Sequence, residues 1–159
     1  MMMFSKRCQY AVLAVFELAR QYQGGPVSAT IISANQNIPK QFLQNILAQL
    51  RRGGFIHAYR GKQGGHALAL APEKLSVGQV VRLMEGEWKI VECLQSSDYP
   101  CKLKQRCVLE KMWRNIHESI EEILDGTNFA ALADSGKADI LEADLEPVVI
   151  APKRQSTSQ

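Results

Sequence analysis

Three cysteines, Cys93, Cys101 and Cys107, stand with seven and five residues between them in the second half of the chain. Thiolates are redox-active and bind metals strongly, and three of them can hold a zinc ion or an iron–sulfur cluster once a fourth ligand is supplied. The spacing matches no two-residue zinc knuckle, so it does not choose the metal. Candidate fourth ligands are Glu110, one helical turn after Cys107, and Cys8 or Gln9, offered by the first helix of the same or another subunit. His117 lies too far along from Cys107 to join them, and Cys8 also reads as a small buried hydrophobe. The fourth cysteine makes no tight pair with the other three. In a reducing compartment all four suit ligand or redox roles better than structural disulfides.

A second cluster of chemistry sits upstream. Arg60-Gly61-Lys62-Gln63-Gly64-Gly65-His66 is a basic, glycine-rich turn between two short apolar runs. Glycine lets backbone come close to phosphate, while Arg60 and Lys62 supply positive charge. It is no nucleotide-binding loop, because no Gly-Lys-Ser/Thr opens a helix after it. His57 and His66 share this hairpin and face nucleic acid or solvent. The net charge of +3 hides an asymmetry. Residues 1–66 carry eight Lys/Arg against the single acid Glu17, and the remainder carries eleven basic against fifteen acidic residues. A basic N-terminal part beside a mildly acidic remainder is the electrostatic footprint of nucleic-acid binding.

These residues need a frame, and the apolar periodicity provides one. Ser5 caps a first helix to about Tyr22, its apolar positions Tyr10, Leu13, Ala14 and Leu18 recurring at helical spacing, and Gly24-Gly25-Pro26 stops it. Ser28 caps a short second helix, Ala29 to about Asn35. Pro39 opens a third running to about Arg52, with Phe42, Leu43, Ile46, Leu47 and Leu50 as its buried stripe. Its outward residues Lys40, Gln41, Gln44, Asn45 and Arg51 are amides and cations, which hydrogen-bond adenine, guanine or phosphate. Phe55–Arg60 and His66–Leu70 read as two strands around the basic turn. A fourth helix covers Ser76 to about Met84, with Val77, Val80, Val81 and Met84 inward. A long helix from about Arg106 to Asp125 follows, and Leu109, Trp113, Ile116, Ile120 and Ile123 form a heptad seam along it.

The expected fold is mostly α with a small β-hairpin wing: a winged helix-turn-helix plus a long C-terminal dimerisation helix. Residues 1–84 would form the DNA-binding domain, 85–132 the cysteine-containing sensor loop and dimerisation helix, and 133–159 a flexible tail. A seam beyond a compact domain is economically covered by a second copy, since twofold DNA sites demand a twofold protein. No apolar run approaches the roughly 18 residues needed to span a membrane. With no apolar secretion signal at the N-terminus either, the expectation is a cytoplasmic protein. No nucleophile–base pair and no paired carboxylates point to an enzyme.

The chain resembles the winged-helix regulator family that includes IscR, NsrR and CymR. The resemblance is carried by residues 5–12 of the first helix, by Ile38-Pro39-Lys40-Gln41-Phe42-Leu43-Gln44, by Leu50-Arg51-Arg52-Gly53-Gly54-Phe55, by the basic turn and by the three cysteines. It implies a homodimeric transcription regulator, usually a repressor, whose binding to a double-stranded DNA operator is controlled by an iron–sulfur cluster, [2Fe–2S] ahead of [4Fe–4S]. By the same resemblance Gln44 reads a base and Arg60 enters the minor groove. The chain departs from the family in a longer first cysteine gap, in Glu110 where IscR-like members place a histidine, and in Gln9 where NsrR-like members take an oxygen ligand. Zinc or a bare thiol switch on the same cysteines is the alternative.

Overall fold

In the computed structural model, residues 4–94, 99–103 and 106–135 are described. Helix α1 (Lys6–Arg20) starts where the Ser5 hydroxyl accepts the Cys8 amide at 3.1 Å, and α2 (Ala29–Asn35) where Ser28 accepts that of Ile31 at 3.3 Å. Such side-chain caps satisfy amides that the first turn leaves unpaired. Helix α3 (Lys40–Arg52) begins directly after Pro39 and buries Leu43, Ile46, Leu47 and Leu50. Strands β1 (Ile56–Tyr59) and β2 (Gly65–Leu68) form an antiparallel hairpin with Ile56 opposite Leu68 and Tyr59 opposite Gly65. Both strands are shorter than the sequence suggested. Val27, between α1 and α2, adds a bridge to His66, with N–H···O distances of 2.8 Å in each direction. That bridge explains Gly65: a Cβ there would lie 2.5 Å from the Val27 carbonyl oxygen. Helix α4 (Val77–Glu85) is fixed by a reciprocal capping box between Ser76 and Gln79.

One buried charge locks the helix-turn-helix corner. Glu17 of α1 is fully buried, and its two carboxylate oxygens accept Asn35 Nδ2 at 2.8 Å and Gln36 Nε2 at 2.7 Å from the end of α2. Arg20 stands 3.6 Å away. A buried carboxylate that holds hydrogen bonds from two amides fixes the angle between its helices, because losing either partner leaves polar groups unpaired.

Three expectations need correction. Phe42 is not part of the buried stripe of α3: it is 48% exposed, since its place on the helix falls at the flank of the stripe. The long helix α5 (Glu110–Gly126) starts four residues later than Arg106, because Val108 and Leu109 are in a turn and the helical ladder opens only at Glu110. The boundary expected between 132 and 133 is crossed by α6 (Phe129–Ser135), which packs on α1 with Phe129 and Ala133 buried in the main core. Asn128 caps it by accepting the Ala131 amide at 2.8 Å. The rest of the tail, 136–159, lies outside the described residues.

Helix α5 meets the rest of the fold through few contacts, chiefly with α4. Arg82 of α4 pairs with Glu121 at 2.8 Å and with Asp125. His117 is its one buried residue, while Leu109, Met112, Ile116 and Ile123 of the same region are exposed.

Candidate nucleic-acid interface and cysteine segment

Burial on one side of α3 leaves the opposite side to solvent. Lys40, Gln41, Gln44, Asn45, Arg51 and Arg52 are all exposed, as the periodicity required. The hairpin stands beside the C-terminal end of this helix. The charge on Arg51 helps push the His66 imidazole below its ordinary range, after burial as the larger cause. His66 is half-buried, whereas His57 is exposed. Arg60 and Lys62 are exposed at the hairpin tip, where Gly61 adopts φ 106°. A Cβ on Gly64 would lie 2.5 Å from the Tyr59 carbonyl, so this tight turn also depends on glycine. An amide-bearing helix face and a cationic hairpin tip thus stand together on exposed surface. The aromatic pair Tyr10 and Phe42, with ring centroids 6.1 Å apart, borders the helix face. The reading of Phe42 as core concealed it.

The cysteine segment is less closed. Cys93, Cys101 and Cys107 are all half-buried free thiols. The Tyr99 hydroxyl donates to Glu92 Oε2 at 2.9 Å, which ties the two ends of the stretch between Cys93 and Cys101. That carboxylate raises the Tyr99 pKa, through the hydrogen bond first and its charge second. Cys107 sits just ahead of α5, and its carbonyl accepts the Glu110 amide at 3.4 Å. Glu110 is the first residue of α5 and is paired with Arg114 at 2.7 Å.

The remaining candidates sit elsewhere. Gln9 donates to the Phe4 carbonyl at 3.1 Å. Cys8 is 1% exposed, and burial, followed by the charge of Glu85, pushes its thiol up to about 12. A thiol so firmly protonated is the least available of the three proposed fourth ligands. His117 is committed, with Nε2 3.0 Å from Lys89 Nζ and its ring edge-on to Trp88 at 4.9 Å. Trp88 in turn meets Phe4 edge-on at 5.2 Å, so a row of rings joins the N-terminus to α5. Three thiols are the donor set a soft metal or cluster takes. Among the described residues, however, no three His, Cys, Asp or Glu side chains are brought together as a metal-holding group. No described helix is long and apolar enough to cross a membrane.

A helix-turn-helix, a basic hairpin wing and a long helix with an exposed apolar seam define the winged helix-turn-helix class of fold. Residues 4–135 match the model of the Rrf2 family, described as an iron-dependent transcriptional regulator, and the chain belongs to that family. It is 30% identical over 131 residues to the HTH-type transcriptional regulator IscR of Aliivibrio salmonicida, covering 82% of this chain and 77% of that one. Its fold is similar to CymR, the global cysteine regulator of B. subtilis, with a TM-score of 0.73 and 27% identity over 85% of this chain and 98% of that one. T. potens IscR superposes with a TM-score of 0.69 at 31% identity over 87% and 92%. These relatives and neighbours are regulators, not enzymes.

Proposed function

We propose that the chain is a homodimeric repressor that binds double-stranded DNA through α3 and the hairpin, and whose operator affinity is set by the chemical state of Cys93, Cys101 and Cys107. The observation that carries the DNA-binding reading is the exposed amide-and-cation face of α3 beside the Arg60–Lys62 hairpin tip. Gln41, Gln44 and Asn45 supply base contacts, while Lys40, Arg51 and Lys62 bind phosphate. Arg60 enters the minor groove. Arg60→Ala is expected to weaken operator binding by about 10-fold in a fluorescence-anisotropy titration at fixed salt. Unchanged affinity would remove the wing from the interface.

The homodimer is supported by the seam on α5 and by an apolar groove of about 350 Å³ lined by Phe4, Val12, Leu13, Val77, Val81 and Leu124. At the cysteines, a bound iron–sulfur cluster, [2Fe–2S] before [4Fe–4S], would supply redox chemistry and be held by Cys93, Cys101 and Cys107, with Glu110 the most accessible fourth ligand. The alternative is a regulator in which the same thiols bind zinc or change redox state. It is favoured by the absence of an assembled ligand set among the described residues and by likeness to CymR. The two separate on protein purified without oxygen. Visible absorption with matched iron and sulfide supports the cluster, whereas a colourless protein with zinc or no metal supports the thiol reading. If a cluster is present, Cys101→Ala should abolish the chromophore and leave the circular dichroism spectrum unchanged. A Cys101→Ala protein with wild-type absorption would sink the assignment.

A further inference from the structure

The face of α3 that bears amides and cations is bordered by one large apolar ring. Phe42 is 48% exposed, although α3 buries four other apolar side chains in the core. A single exposed apolar residue is ordinary on a protein surface. The surroundings of this one are not. Phe42 lies three residues before Asn45, about 60° round the helix from it, so the two are surface neighbours at i,i+3 spacing. Asn45 is exposed, so the ring stands at the edge of a polar surface. Half-buried Tyr10 of α1 stands beside it with centroids 6.1 Å apart and the rings tilted by 52°, which supports the ring from the protein side.

A phenyl ring cannot hydrogen-bond a base edge. In the major groove it can meet the 5-methyl group of thymine, the one apolar feature there. We propose that Phe42, supported by Tyr10, is a specificity-determining residue that selects a thymine in each half-site through its methyl group. The proposal rests on the reading of α3 as the recognition helix. Phe42 joins that surface on the side of Asn45 and Arg52, and the positive charge along the helix brings the DNA there.

The binding site itself can be found by selection. Duplexes that bind the full-length protein are selected from a random pool, and each thymine of the selected site is replaced in turn by deoxyuridine. That exchange deletes one methyl and leaves the hydrogen-bonding edge intact. For the wild-type protein, one position per half-site is expected to lose roughly 3- to 5-fold in affinity. For Phe42→Ala the thymine probe should bind about that much more weakly, and the difference between thymine and deoxyuridine at that position should vanish. Phe42→Leu should retain part of it. A Phe42→Ala protein that keeps the full thymine preference overturns the proposal, as does a wild-type protein indifferent to every methyl. A change in sedimentation with the preference intact would assign Phe42 to a protein contact instead, and also overturns it. Gln44→Ala separates failure of the proposal from failure of its premise. If Gln44→Ala and Arg60→Ala also leave affinity unchanged, α3 is not the recognition helix. If they weaken binding while the methyl effect is absent, only the role of Phe42 is lost.

Discussion

Phe129→Ala is expected to lower the free energy of unfolding by about 3–5 kcal/mol, the range for truncating a buried phenylalanine where neighbours cannot close the cavity. Phe129 is fully buried in the core that α1 shares with α3 and α4. Its amide donates to the Leu75 carbonyl at 3.0 Å, and Val77 donates to Thr127 at 2.9 Å, so the segment entering α6 is stitched to the segment entering α4. The side chain is thus pinned from its own backbone, and collapse into the space it leaves is restricted. Thermal and urea unfolding of the variant check this. A loss below about 1 kcal/mol would mean that α6 does not contribute to the core. The result also bears on architecture, since it asks whether the DNA-binding core is complete without a residue from beyond the long helix.

The second large effect concerns α5. Ile123 is 67% exposed and Ile116 37%, so replacing both by glutamate is expected to cost the isolated protomer little stability. If α5 pairs with a second copy along this seam, the charges are buried and unpaired in the pair, which breaks it. Sedimentation should then change from dimer to monomer at micromolar concentration. Operator affinity should fall by about 100-fold or more, because the second half-site is no longer engaged at the effective concentration that linkage provides. A double variant that remains dimeric would move the interface off the seam.

Most of the DNA-binding half was legible in sequence because its signals are local. Ser5 and Ser28 announce helix starts by cap chemistry that a few adjacent residues decide, and both act as caps. The glycines of the hairpin announce a turn, though not the bridge from Val27 that makes Gly65 obligatory, since that contact joins distant segments. Phe42 misled because apolar identity was taken for burial at a position on the flank of the helix. Helix α6 was invisible for the opposite reason. Its seven residues, FAALADS, carry only two large apolar side chains, Phe129 and Leu132, and what makes them a helix is their seating against the core beside α1. Asn128 was the one local hint. The cysteine spacing carried the chemistry of the donors but not their geometry, because it does not encode the ring of Tyr99, its bond to Glu92 or the turn before Glu110.

The Glu17 clamp has a consequence for how such a protein is switched. With both carboxylate oxygens occupied by amides from the end of α2, the corner that carries α3 is a rigid stylus and not a hinge. A stylus can be lifted or respaced, but it cannot be reshaped. If the protein is the proposed dimer and its cysteines carry the signal, that signal would be expressed as pitch: the separation and phase of two such styluses against a DNA helix that repeats every ~34 Å. An operator would then answer the signal through the spacing of its half-sites, and base pairs inserted between them would mimic the effector.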